Sequence, residues 1–229
     1  MLTVNLHPVI PALLSLYFAS AYLRIVVRNL LLAEWYKACH DYLLWLAYKR
    51  VSTKRRPAMF DQLIAHLKSA ARGENAEASV KALLVEFVRD PQQAKSAMPH
   101  YKEDDVIIFE DDTISIWFCR FQPGAVVPPH DHQMSATIGV YQGTEQNDLY
   151  DRDEQDLPVL KSSTAIPAGQ VVQIAENAIH GVTCTSDEPS EALHVYLGAL
   201  TTVNRSIFDM AVGQEMPFTE DNYNMLISR

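Results

Sequence analysis

Gly124-Ala-Val-Val-Pro-Pro-His130-Asp131-His132 is the stretch whose reading decides the fold, and it runs on to Ile138-Gly-Val-Tyr141-Gln-Gly143. Side chains alternate along a β-strand, so histidines two apart share one face and Asp131 between them takes the other. Imidazole is the commonest protein ligand for first-row transition metals. A pair on one face is therefore half of a metal site. The glycines bracket the strand as turn positions.

A third histidine lies downstream in Pro167-Ala-Gly169-Gln-Val-Val-Gln-Ile-Ala-Glu-Asn-Ala-Ile-His180-Gly181-Val. Pro-Ala-Gly reads as a turn, Val171 to Ile174 as a short strand and His180 to Cys184 as another. A barrel of hairpins can bring His180 against the first pair. Taken singly, each histidine also fits a strand surface; the trio favours a metal.

These residues resemble the cupin superfamily, whose motifs run Gly-x5-His-x-His-x3-4-Glu-x6-Gly and Pro-x-Gly…His. Gly124, His130, His132 and Gly143 match the first, and Pro167, Gly169 and His180 match the second with a longer loop. The resemblance implies a mainly β fold, a cupin double-stranded β-helix barrel preceded by short α-helices. Where the family places its glutamate ligand, this chain has Ala136 and Thr137, which leaves three neutral histidines.

A three-histidine cupin is similar to the thiol dioxygenases, which carry a Ser-x-His-x-Tyr strand after the third ligand. Here that strand reads Ala192-Leu-His194-Val-Tyr196, with Ala192 in place of serine. In the mammalian-type cysteine dioxygenases a cysteine crosslinked to the tyrosine falls near Thr137, so no such crosslink forms there. The bacterial 3-mercaptopropionate dioxygenases bind the substrate carboxylate through an arginine nine residues past the tyrosine, the spacing of Arg205 from Tyr196. The resemblance covers about residues 98–210. It implies Fe(II) on His130, His132 and His180, Tyr196 and His194 as catalytic groups, Arg205 as the substrate clamp, and a small thiol (3-mercaptopropionate or cysteine-like) with O2 as the reacting partners. A metal-dependent isomerase, a carbon-centred dioxygenase and a cupin that senses a small ligand without turnover stay open. So does the reading of His194 and Tyr196 as a core pair and of Arg205 as a surface residue.

The chemistry has its own logic. Three neutral ligands leave the full 2+ charge on the ion, which lowers the pKa of a bound thiol. Facial ligands leave positions open for substrate and O2 together. Tyr196, two residues from His194, shares its face, and a phenol beside an imidazole suits proton donation.

Charge divides the chain. Residues 1–56 hold eight Lys+Arg and two Asp+Glu, net +6; residues 57–229 hold eleven and twenty-six, net −15, giving −9 in all. An acidic stretch of this length suits one packed domain and argues against nucleic acid as a partner. The alternation in Thr113-Ile-Ser-Ile-Trp-Phe-Cys-Arg-Phe121 and Ser135-Ala-Thr-Ile-Gly-Val-Tyr141 reads as half-buried strands. Phe60 to Leu67, ending near Gly73, and Ala76 to Val88, ending before Pro91, read as two amphipathic helices. Glu145 and Asp148, after the Gly143 turn, read as a solvated hairpin, with Glu145 within reach of a site mouth. The runs Glu110-Asp-Asp112 and Asp151 to Asp156 read as surface loops.

Residues 2–23 contain no Asp, Glu, Lys or Arg, and Arg24 and Arg28 follow. Length and flanking charge fit a membrane anchor, which Pro8, Pro11, Asn5 and His7 weaken. Residues 1–58 are read as an apolar, basic N-terminal extension (an anchor, a non-native leader or a packing helix pair), and 59–229 as the cupin domain with its N-terminal helices. Contact with a membrane follows only if residues 2–23 are an anchor. A homo-oligomer is compatible with the sequence. Three cysteines, Cys39, Cys119 and Cys184, with no Cys-x-x-Cys, suit a reducing compartment and exclude a cysteine zinc site. The expected location is the cytoplasm or the cytoplasmic side of a membrane. Cys119 is expected in the core.

Overall fold

The computed structural model describes residues 59–227; the expectations for residues 1–58, the anchor over 2–23 among them, lie outside the described residues. Among the described residues, no helix is long and apolar enough to cross a membrane. The architecture is mainly β, a double-stranded β-helix barrel preceded by short helices. Helix α1 covers 59–70. It is followed by α2 (Ala76–Val88), α3 (Pro91–Ala97), β1 (Asp105–Asp111), β2 (Ile114–Phe121), β3 (Val126–His130), β4 (Ala136–Gln142) and β5 (Thr144–Arg152). Then come β6 (Pro158–Pro167), β7 (Val171–Ile174), β8 (Ile179–Cys184), β9 (Ser190–Tyr196), β10 (Ser206–Asp209), β11 (Gln214–Pro217) and α4 (Glu220–Ile227).

Two antiparallel sheets form the barrel, in the orders β1-β2-β9-β4-β7 and β11-β10-β3-β8-β5-β6. The expected strands at 113–121, 135–141, 171–174 and 180–184 are all present as β2, β4, β7 and β8. The alternation in β2 and β4 has a fuller cause than half-burial, because both faces are covered. Ile114, Ile116 and Phe118 of β2 pack with Leu193 and Val195 against Val80, Leu84 and Val88 of α2. The opposite face of β2, with Trp117, Cys119 and Phe121, lines the barrel cavity. Helix α2 buries Val80, Leu84, Phe87 and Val88, one stripe at helical spacing. Gly139 of β4 lets it come close: a Cβ there would lie 3.2 Å from Val88 Cγ1 and 3.5 Å from Leu84 Cβ.

Three sequence expectations change. A third helix, α3, precedes the barrel; the Asp90 carboxylate accepts from Gln93 N at 3.0 Å and Pro91 takes the first turn, where its missing N–H is no loss. Glu110 and Asp111 belong to β1, and Asp111 shapes the hairpin by accepting from the Thr113 N–H at 2.9 Å. Glu145 and Asp148 lie in β5, a strand between β8 and β6, and Glu145 is fully buried. Cys119 is buried, as expected.

Candidate metal centre

His130 and His180 face one another across β3 and β8. The ladder advances from Val127 to His130 on β3 while β8 goes only from Val182 to His180, so the pairing holds a bulge. Pro128 and Pro129 occupy it, where a missing N–H donor is tolerated. The extra residue matters for aim. An offset of three would put Val127 and His130 on opposite faces of a regular strand, whereas both line the cavity. Gly181 allows the close approach, because a Cβ there would lie 3.2 Å from the Val127 carbonyl oxygen.

His132 lies beyond the end of β3, so strand alternation is not what aims it. A turn does so. The Asp131 N–H donates to the Ser206 carbonyl at 3.1 Å, and its carboxylate accepts from Ser206 N at 3.0 Å and Gln133 Nε2 at 2.9 Å. Gln133 then takes a positive φ of 54°. Asp131 is the bracket that pins the turn to β10.

The three imidazoles converge through Nε2. His132 Nε2 lies 3.1 Å from His130 Nε2 and 3.2 Å from His180 Nε2. His130 Nδ1–H donates to the Pro128 carbonyl at 2.9 Å, and His180 Nδ1–H donates to Asn147 Oδ1 at 3.1 Å. Their protons are thus on Nδ1, and both Nε2 atoms present bare lone pairs. Only His132 can place a hydrogen among the three, so at least one lone pair faces another. His132 Nδ1 is itself buried without a partner. A cation at the point of convergence relieves all of this. With metal–imidazole bonds of about 2.1 Å, nitrogens 3.1 and 3.2 Å from His132 Nε2 subtend roughly a right angle with it at the metal. The donor set therefore fits a metal ion, and the three residues form a buried group able to hold one. Burial holds His130 down at about 4, and it holds His132 and His180 well below the usual imidazole range, helped by the neighbouring imidazoles. Each is neutral, the ligating form.

His194 and Tyr196 stand beside this cluster on β9. His194 Nδ1 lies 3.3 Å from the Tyr196 hydroxyl, and the Tyr196 ring meets the His132 ring edge-on at 4.9 Å. Burial pushes Tyr196 well above the ordinary phenol range, and it pulls His194 down to about 3. Cys119, on the same wall, is raised by burial and the nearby carboxyls of Asp105 and Glu145, which keeps it a thiol. The structure thus places Tyr196 and His194 against the histidine cluster, within one cavity.

That cavity holds about 440 Å³. Arg205 lines it, half-buried, its guanidinium 3.7 Å above the Phe218 ring. The Phe218 N–H donates to the Arg205 carbonyl at 2.8 Å, and the Phe218 ring meets His130 edge-on at 5.3 Å. Among the described residues no carboxylate forms an ion pair with Arg205; burial lowers its pKa. Sequence reasoning missed the rest of the mouth, Phe218, Glu220, Tyr223 and Asn224. An aromatic at 218 just ahead of a short amphipathic run was the available signal. It also missed Asn147 and the full burial of Glu145, two residues apart on β5.

No protein-family model matches the chain. Among solved structures, an uncharacterised conserved protein with a double-stranded β-helix domain from Klebsiella pneumoniae is 15% identical over 49% of this chain and 90% of that one, with a TM-score of 0.36. A Bacillus halodurans protein is 13% identical over 43% of this chain and 73% of that one, with a TM-score of 0.39. A variant of the Bacillus subtilis oxalate decarboxylase is 17% identical over 42% of this chain and only 24% of that one, with a TM-score of 0.33. The barrel assignment rests on the strand order and register described above, and these partial likenesses carry no inference about activity.

Proposed function

We propose that the chain holds Fe(II) on His130, His132 and His180 and oxidises a small carboxylate-bearing thiol, such as 3-mercaptopropionate or a cysteine-like compound, with O2 to the sulfinic acid. Thiol and O2 together supply every atom of the product. The carrying observation is the convergence of three neutral imidazoles, a ligand set without a carboxylate, on a cavity also lined by an arginine free of carboxylate ion pairs among the described residues.

When bound, the ion supplies a 2+ centre with open positions at which a thiol ionises. The chain's own residues do the rest. Arg205, its guanidinium over the Phe218 ring, presents a planar fork suited to a carboxylate. Tyr196, kept protonated by burial, offers a hydroxyl beside His132. Phe121, Val127, Val182 and Leu200 exclude water around the reacting sulfur. A second reading follows from Arg205 alone, which would clamp any small carboxylate: the substrate then carries a carbon centre in place of sulfur.

The test is O2 uptake by the iron-loaded protein across 3-mercaptopropionate, cysteine, cysteamine and thiol-free carboxylates of the same length. Uptake with the acidic thiols supports the proposal. Uptake with thiol-free acids alone selects the second reading, and uptake with none leaves a ligand-binding barrel.

A further inference from the structure

Ala192 removes the serine that the resemblance implies for the strand carrying His194 and Tyr196. The inner end of that pair is nonetheless not lined by apolar groups alone. His194 Nε2 faces the Glu145 carboxyl, with Oε2 at 3.9 Å, and the side chains are 5% and 0% exposed. Neither carboxyl oxygen of Glu145 nor His194 Nε2 makes a well-formed hydrogen bond, and the buried Ser190 hydroxyl near Glu145 is likewise unpaired. Glu145 lies two residues before Asn147 on β5, so the two share a face. One strand therefore faces both imidazole systems: Asn147 holds His180, and Glu145 stands behind His194.

We propose that Glu145 is a positioning residue: through His194 it fixes which ring nitrogen carries the proton, and so directs the Tyr196 hydroxyl hydrogen into the cavity. A hydrogen bond between Glu145 and His194 needs the 3.9 Å separation of Oε2 and Nε2 to close to about 3.2 Å. Burial pushes Glu145 up to about 8, with the Ser190 hydroxyl acting in the opposite direction, so near neutrality the group is a carboxylic acid. Its O–H then donates to His194 Nε2. The hydrogen of the imidazole is left on Nδ1, which donates to the Tyr196 oxygen at 3.3 Å. With that oxygen already accepting, the phenol O–H points to the cavity. The other tautomer reverses the chain: Nε2–H points at the carboxyl, the phenol donates to Nδ1, and the cavity receives only an oxygen lone pair. The polarity of the chain Glu145–His194–Tyr196 is set at its buried end. Only the identity of what the Tyr196 hydrogen meets rests on the thiol-oxidation reading.

The experiment compares the full chain with Glu145→Gln, whose amide still donates to Nε2, and with Glu145→Leu, which cannot. Long-range proton–nitrogen NMR of histidine-labelled protein without added metal reads the His194 tautomer, identified by its loss in His194→Gln. The parent and Glu145→Gln should both carry the proton on Nδ1, and Glu145→Leu, with nothing at Nε2 to hold one tautomer, should show a mixture of the two. After iron loading, kcat for 3-mercaptopropionate should stay within threefold in Glu145→Gln and fall at least tenfold in Glu145→Leu, with KM within twofold. If Glu145→Leu does not fold, Glu145→Met, similar in length and without a donor, takes its place. One tautomer throughout the series, or equal kcat in all variants, overturns the positioning role. A tautomer shift in a protein that turns over no thiol refutes thiol oxidation and leaves the role of Glu145 standing.

Discussion

Replacing Asn147 by Leu isolates the hold on His180. Asn147 is buried, and its Oδ1 accepts from His180 Nδ1–H at 3.1 Å. In the metal-bound protein His180 Nε2 is occupied, so the proton has no refuge except Nδ1. The substitution then leaves a buried N–H without an acceptor, which costs about 1–3 kcal/mol. That is roughly a 5- to 150-fold loss of metal affinity, in line with the roughly 10- to 100-fold typical of lost outer partners of ligating histidines. The metal-free protein meets a smaller penalty, since His180 can move its proton to Nε2 and donate to His132 Nε2, 3.2 Å away, when His132 carries its own proton on Nδ1. It also sheds the Asn147 Nδ2 group, which is buried without a partner. The expected signature is therefore a split: Fe(II) or Co(II) bound at least fivefold more weakly in an anaerobic chelator competition, and a metal-free melting temperature no lower than the parent's. Affinity unchanged within twofold would refute the argument, because His180 would then not be bound through Nε2 with its proton held on Asn147.

Replacing Arg205 by Ala should raise KM for 3-mercaptopropionate more than tenfold, at about 1.5–3 kcal/mol for a hydrogen bond to a charged group, and leave cysteamine nearly unchanged; steady-state O2 uptake with both thiols checks it. The pH dependence of stability has two limbs of opposite sign. His194 drops from 6.5 to about 3 on folding, so the unfolded chain binds more protons between those values and its contribution is lost as pH falls through that window. Glu145 rises from 4.5 to about 8, so its contribution is present at low pH and is lost as pH rises from 4.5 to 8. The melting temperature of Glu145→Gln relative to the parent should therefore climb steadily between pH 5 and pH 8, read by thermal denaturation without added metal. Replacing Gly139 by Val should destabilise by about 1–3 kcal/mol through overpacking against Val88 and Leu84. Urea denaturation measures this, and metal affinity should be spared because the contact lies on the outer face of the sheet.

The barrel was legible because its strands carry apolar alternation and its turns carry glycines with positive φ, Gly124, Gly143 and Gly169 among them. His130 and His180 were legible as site residues by type and spacing. His132 was placed on the right side for the wrong reason: the two-residue spacing suggests a strand, but the Asp131 bracket to Ser206 makes a turn instead. The burial of Glu145 was hidden because Thr144-Glu-Gln-Asn-Asp148 is polar on both faces, so no hydrophobic period marks which side is inside. Only the pairing of β5 between β8 and β6 turns Glu145 and Asn147 inward. Arg205 came into view only through the resemblance, by its spacing from Tyr196, and it lines the cavity. Its position is fixed by a long-range contact, the Phe218 ring under its guanidinium, which no local pattern announces.

The central claim is that the protein, with iron held by the three-histidine cluster, would add both atoms of O2 to a thiol sulfur. Mass spectrometry of the product formed by the iron-loaded protein from 3-mercaptopropionate under 18O2 tests it directly. The account predicts a sulfinic acid carrying two 18O atoms, with none formed by the His180→Ala protein. A product with one or no labelled oxygen, a disulfide alone, or the same doubly labelled yield from His180→Ala would contradict it.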